Sequence, residues 1–331
     1  MLRTLLILLL SVALPGCSTA SSPAAPTPAA AANASPSTGA AGHITVYAAL
    51  TDANGAALVS AFQQTNPQAT IDMVTGGTGA LITRIETERR ASGIQADVLV
   101  LADPTVMAPL DSEGALSAYT PTTAASLPEV LRGHGWTGAF TFNNVLLYRS
   151  GANAPTDWSD LTNAAYRDKV ELGDPAYSGT TLGMVAYLSS SLGWDYFRQL
   201  QQNGAKVVQS TNTVGTDIAQ GSVDVGISLD SVGRDLASKG SPVNIAWPTS
   251  GAIPVPAPVA IVKGHESPLS QAFLDWLVSD QGQANLVKLG YAPVRGASDA
   301  VPSNAKLVDV DWTKIAADRD STIQQFKAIF P

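Results

Sequence analysis

Apolar residues in this chain fall into short unbroken runs, each followed by a stretch in which they recur at every third or fourth position. Residues 44–50 (ITVYAAL) form such a run and read as a buried strand. Residues 54–64 follow with Ala57, Leu58, Ala61 and Phe62 at helical spacing, and Asn66-Pro67 ends the helix. The alternation then repeats. Residues 70–74 read as a strand, Gly76 to Gly79 as a sharp loop, and 80–90 as a helix with Leu81, Ile82 and Ile85 inward. Residues 97–101 read as a third strand, and Asp103-Pro104 opens another helix at a position where proline is tolerated. A second series begins after a strand at 140–149: strand 170–173, helices 182–192 and 194–202, strand 223–229, helix 231–239. Residues 253–262 carry Pro254, Pro256 and Pro258, which forbid a helix and leave an extended apolar run. Helices at 268–278 and 281–289 and a last helix ending near Phe330 complete the chain.

Strands alternating with helices predict an α/β fold on a parallel sheet. The two series, joined by extended crossings near 140–149 and 254–262, predict two lobes with a hinge and a central cleft. The expected division is a first lobe from 43–143, a second from 144–255, and a return to the first over 256–331.

The N-terminus has a different pattern. Arg3 precedes the apolar run at 5–10, and Leu14-Pro15-Gly16-Cys17 follows. A charged start, a short apolar core and a small residue before a cut form an export signal, too short to span a bilayer permanently. Leu-x-Gly-Cys resembles a bacterial lipobox, so residues 1–16 are expected to be removed and Cys17 to carry a lipid. Cys17 is the one cysteine in the chain, so no internal disulfide is available. Residues 18–42 hold no charged side chain and four prolines, and with 17 they read as a flexible linker. The protein is therefore expected outside the cytoplasm, tethered to a membrane.

Charge and chemistry narrow the function. A formal net charge of −8 argues against a nucleic-acid partner. There is no Gly-x-Ser-x-Gly elbow, and His43, His134 and His265 are scattered without ligand-like spacing. The expectation is a binding protein and not an enzyme, with no cofactor and no resident metal, acting as a monomer. An exported hydrolase is the less favoured class. Three loops leave a strand and enter a helix with glycine or hydroxyl residues: 76–79, 178–181 and 210–215. Free backbone N–H groups at a helix start favour an anion. The candidate ligand contacts are Thr51, Gly77, Thr78, Gly79, Tyr177, Ser178, Gly179, Thr180, Thr181, Thr213 and Asp230. The same hydroxyl residues also suit ordinary helix capping. Asp230, between an apolar strand and a helix, is expected to meet a ligand ammonium if it faces the cleft, or to cap the helix if it does not. Asp52 is a weaker candidate for that role.

Several segments together resemble the solute-binding proteins of bacterial ABC importers. They are the export signal with lipobox, the Val46-Tyr47-Ala48 strand, Gly77-Thr78-Gly79, the run from Gly173 to Thr180, Ala260-Ile261-Val262-Lys263-Gly264, the run from Phe273 to Gln283, and Tyr291-Ala292-Pro293-Val294-Arg295. The chain is most similar to the ferric-iron-binding family and its phosphonate- and organophosphate-binding relatives, over residues 43 to 296. The resemblance implies a type II periplasmic-binding fold, a small anionic solute held between two lobes, and a membrane permease as partner. Ferric-binding members place a Tyr-Tyr pair after the strand that corresponds to 223–229. Here Leu229-Asp230-Ser231 stands in its place. Direct iron(III) binding is thus the alternative, and an oxyanion or a ferric–anion complex is the expectation.

Overall fold

The computed structural model describes residues 39–331 apart from Ala297. The expected signal peptide, Cys17 and most of the linker lie outside the described residues. In chain order the elements are β1 (Gly42–Ala48), α1 (Asp52–Gln63), β2 (Ala69–Thr75), α2 (Thr78–Ala91), β3 (Val98–Val100) and α3 (Met107–Ser112). Then come β4 (Thr137–Arg149), β5 (Val170–Gly173), α4 (Gly179–Ser191), α5 (Trp194–Gln202), β6 (Lys206–Val208), α6 (Thr211–Gln220), β7 (Val225–Leu229) and α7 (Asp230–Ser238). The chain ends with β8 (Val243–Ala246), β9 (Ile253–Ile261), α8 (Pro268–Val278), α9 (Asp280–Lys288), β10 (Ala292–Pro293) and α10 (Trp312–Ile329). The last residues of the segment expected as linker, 17–42, belong to the fold. The Ala40 amide already donates to Asn66 Oδ1 at 2.8 Å, and β1 begins at Gly42.

The strands form one sheet in the order β2-β1-β3-β9-β4-β7-β5-β6, with β8 and β10 also paired to β4. Two blocks are parallel, β2-β1-β3 and β7-β5-β6. Between them β9 runs antiparallel to both β3 and β4, and β4 runs antiparallel to β7. The all-parallel expectation is corrected here: the sheet is mixed. Strand β9 inserts between β3 and β4, and its pairing with β3 is short: residues 254, 256 and 258 are prolines, so three alternate amides are missing along one edge, and β3 pairs only from Val259 onward.

Alternation along the strands divides the core by face. Ile44, Val46, Val98 and Val100 join one cluster with Phe62, Phe273 and Trp276, while Tyr47, Leu99 and Leu101 pack on the opposite face. In the second block Val170, Leu172, Val225 and Ile227 pack with Trp158 and Phe197, and Val214 and Ile218 of α6 pack with Val145 and Leu147 across the sheet. Strand β4 serves both blocks: Phe140 and Phe142 belong to the first core, and Leu146 to the second. Strand β9 does the same, with Ile253 in the second and Val255 in the first.

At this switch β4 carries two adjacent fully buried amides. Asn143 binds Asp230 through its backbone N–H (3.1 Å) and Nδ2 (2.9 Å), and Asn144 Nδ2 donates to Thr180 O (3.1 Å). The C-terminal helix, expected with the first lobe, spans both: Trp312 packs on the first core and Arg319 lies 3.8 Å from Asp103. Phe326 of α10 is buried in the second core against Phe197, because the apolar positions 326, 329 and 330 complete the Trp158–Phe197 cluster.

Candidate functional site

The parallel strands of both blocks end on one side, and their following helices begin there. A cavity of about 510 Å³ lies between these ends. Five helices present N-terminal residues to it: α1 through Thr51 and Asp52, α2 through Gly77 and Thr78, α4 through Ser178 and Thr180, α6 through Ser210, Thr211 and Asn212, and α7 through Leu229 and Ser231. Each helix start leaves amides without intrahelical acceptors and carries about half a positive charge from the helix dipole. Caps use some of these amides. Thr51 Oγ1 accepts from the Asn54 N–H, Ser178 Oγ from the Thr181 N–H, and Ser210 Oγ from the Thr213 N–H. Gly77 caps α2 without a side chain, so no side-chain acceptor occupies that helix start.

Of the sequence candidates, Thr51, Gly77, Thr78, Tyr177, Ser178 and Thr180 line the cavity, as does Asp52. Gly79 does not line it. Its N–H donates to Tyr177 O at 3.0 Å, joining α2 to the loop before α4. Gly179 also serves contact between blocks, since a Cβ there would lie 2.3 Å from Asp103 Cβ. Thr181 is fully buried behind the site, and Thr213 is occupied with Ser210, its Oγ1 3.0 Å from Ser210 Oγ.

Asp230 departs most from the sequence reading, because it does not face the cleft. It is fully buried, and both oxygens are taken: Oδ1 accepts from the N–H groups of Asn143 and Ser231, and Oδ2 from Asn143 Nδ2 and Arg234 Nη2 (2.9 Å). Burial pushes its carboxyl above the usual range, and Arg234 and Asn143 oppose that shift. Arg234 goes on to Ala300 O at 2.7 Å and to Gly290 O, so Asp230 anchors α7 to β4 and to the C-terminal segment. The i, i+4 spacing of Asp230 and Arg234 on a helix was the sequence signal for this pairing.

Sequence reasoning missed Asn54, Phe142, Asn212, Asp235 and Tyr291 in the lining. Tyr291, which the sequence offered only as part of a family motif, lines the cavity with its phenol oxygen accepting from Asn54 Nδ2 at 2.7 Å. Burial raises its pKa to about 12, so it is held as a neutral phenol. Tyr177 is half exposed at the other wall. The three histidines lie elsewhere: His43 and His134 are exposed beside Asp72 and Asp111, and His265 is beside Asp97. Among the described residues, no group of three or more His, Cys, Asp or Glu side chains is placed to hold a metal. The lining is thus a hydroxyl-rich cavity of mixed polarity, with helix starts as its positive elements and Asp52 and Asp235 as its carboxylates.

Comparison with known proteins agrees with this architecture. The family profile for bacterial extracellular solute-binding proteins matches residues 43–292. A probable ABC transporter periplasmic-binding protein of Sinorhizobium fredii, y4fP, is 28% identical over 286 residues, covering 78% of each chain. Among solved structures, AfuA of Actinobacillus pleuropneumoniae, with fructose-6-phosphate bound, superposes with a TM-score of 0.78 at 21% identity, covering 86% of this chain and 98% of that one. Iron-bound HitA of Pseudomonas aeruginosa superposes with a TM-score of 0.72 at 20% identity, covering 86% and 99%. The chain belongs to the family of bacterial extracellular solute-binding proteins, the binding proteins of ABC importers, and has the type II periplasmic-binding fold.

Proposed function

We propose that this protein captures a small solute bearing a phosphoryl, phosphonate or carboxylate group between its two blocks and delivers it to a membrane permease. The observation that carries the reading is the convergence of five helix N-termini, with the hydroxyls of Thr78, Ser178, Thr180, Ser210 and Thr211, on one cavity of about 510 Å³. Dipoles and free amides there stabilise negative charge without a buried lysine or arginine. The division into lobes at 43–143, 144–255 and 256–331 is part of this proposal, amended by α10, which packs on both blocks. Open lobes would admit the solute, and contacts from both walls would favour the closed form.

Bound fructose-6-phosphate in AfuA supports an organophosphate class. The iron in HitA raises the ferric alternative. Against that alternative, Leu229-Asp230-Ser231 stands where ferric-binding members place a tyrosine pair, and among the described residues no group of three or more His, Cys, Asp or Glu side chains is placed to hold a metal. Tethering through a lipid on Cys17 and the segment expected as linker would raise the effective concentration of the protein at the permease. Replacing Cys17 with Ser should release the protein from membranes and leave solute affinity unchanged.

A thermal-shift screen with ferric citrate, inorganic phosphate, fructose-6-phosphate, alkylphosphonates and amino acids tests the reading. A ligand at a hundred times its Kd adds about 2.7 kcal/mol to stability. The expected result is a shift with one or more phosphoryl or phosphonate compounds. A shift with ferric salts alone would refute it. Turnover of any bound compound would place the protein among enzymes instead.

A further inference from the structure

The charged groups that line the cavity run against its helix dipoles. Among the described residues, the lining holds two carboxylates, Asp52 and Asp235, and no lysine, arginine or histidine. They come from opposite walls, Asp52 from the first turn of α1 and Asp235 from α7. Neither is consumed by a buried network. Asp52 accepts from the Thr75 hydroxyl, and Asp235 pairs at 2.7 Å with Lys239, whose side chain is largely exposed. Both residues are exposed, and an ion pair between two exposed side chains is weak and readily exchanged. A simple dianion entering this cavity gains from the helix starts but adds its charge to that of the two carboxylates. A solute that brings its own cation removes that cost and enters with less net charge to desolvate.

We propose, resting on the oxyanion reading above, that the solute is a zwitterion: its oxyanion lies against the helix N-termini, and its ammonium group is held at the mouth by Asp52 and Asp235. The two carboxylates then act as a selectivity filter. They accept an aminoalkylphosphonate or amino-sugar phosphate and disfavour the amine-free counterpart. The apolar and aromatic wall of Phe142, Val232 and Tyr291 accommodates the carbon skeleton between the two charges.

Two matched probe pairs test this by calorimetric titration of the full chain at neutral pH: 2-aminoethylphosphonate against ethylphosphonate, and glucosamine-6-phosphate against glucose-6-phosphate. In at least one pair the ammonium compound should bind about tenfold more tightly, the effect of two water-facing charge contacts. Asp52→Asn combined with Asp235→Asn should abolish that preference and tighten binding of the amine-free member, since a repulsive charge is gone. Circular dichroism of the double variant confirms that it is folded. No preference in either pair, or a preference that survives in the double variant, overturns the zwitterion proposal while oxyanion binding still stands. If none of the four compounds binds, the zwitterion proposal fails together with the phosphoryl and phosphonate arms of the oxyanion reading, which leaves that reading its carboxylate arm alone.

Discussion

The amide of Gly79, in the first turn of α2, donates to the carbonyl oxygen of Tyr177 at 3.0 Å, and this hydrogen bond joins the two walls of the cleft. Gly79 has no side chain to keep the walls apart. A Cβ there would lie 2.8 Å from Tyr177 Cα and 2.9 Å from Ala176 O, both backbone atoms that cannot rotate away. Gly79→Ala should therefore fold normally, alanine being the better helix former, but stop the walls short of this contact. Solute affinity is expected to fall by about tenfold or more, roughly 1.4 kcal/mol. Small-angle scattering should show a liganded form less compact than that of the wild type. An unchanged Kd would mean that the solute does not require the walls to meet here.

Ser178 both caps α4 and lines the cavity. Its Oγ accepts from the Thr181 N–H at 3.3 Å and sits 3.0 Å from Thr180 Oγ1. Loss of the cap in Ser178→Ala should cost about 1 kcal/mol of stability, measured by urea unfolding. Affinity for an oxyanion solute should fall further than this loss of stability explains, because a hydroxyl donor leaves the site. A variant with the same stability loss and full affinity would assign Ser178 to capping alone.

Asp230→Ala separates structure from selectivity. It removes the carboxylate that Arg234 and Asn143 share, and leaves a largely buried guanidinium with one partner fewer. Destabilisation of about 3 kcal/mol is expected, while any preference for an ammonium-bearing solute should persist. Loss of that preference with intact stability would return Asp230 to the site.

The acid side of the stability profile should reflect Glu171. This side chain is buried in β5, and burial together with Asp217 on α6 raises its pKa from 4.5 to about 7, with Lys206 on β6 opposing. A carboxyl with a raised folded-state pKa contributes most below its unfolded value and loses that contribution as pH climbs through about 7. Wild-type stability should therefore decline between about pH 5 and pH 8. Glu171→Gln should flatten the decline and raise Tm at pH 8 by a few degrees, with a smaller gain at pH 5. Parallel pH profiles for the two proteins would contradict this assignment.

Much of the fold was legible because the chain's own pattern encodes it. Short apolar runs such as 44–50 and 170–173 became β1 and β5, and Ser178 and Ser210 marked helix starts through local capping chemistry. The three loops of glycine and hydroxyl residues that open helices could be read for the same reason, since a strand end, a hydroxyl and a helix are neighbours in sequence. The mixed sheet was less legible, because pairing direction depends on which strand a segment meets. Here β9 inserts between β3 and β4, which lie far from it in sequence.

The sequence by itself determined the elements, their alternation and the hydroxyl-rich helix starts, all of which rest on interactions within a few residues. Tertiary structure alone decided which of those residues share the cleft. It brought Asn54 to Tyr291, 237 positions away, and turned Asp230 inward to Asn143, 87 positions away. It also set Asp52 and Asp235 on opposite walls of one cavity. A side chain's role follows from the partners and water it meets, and for these residues both are fixed by long-range packing that no local pattern records.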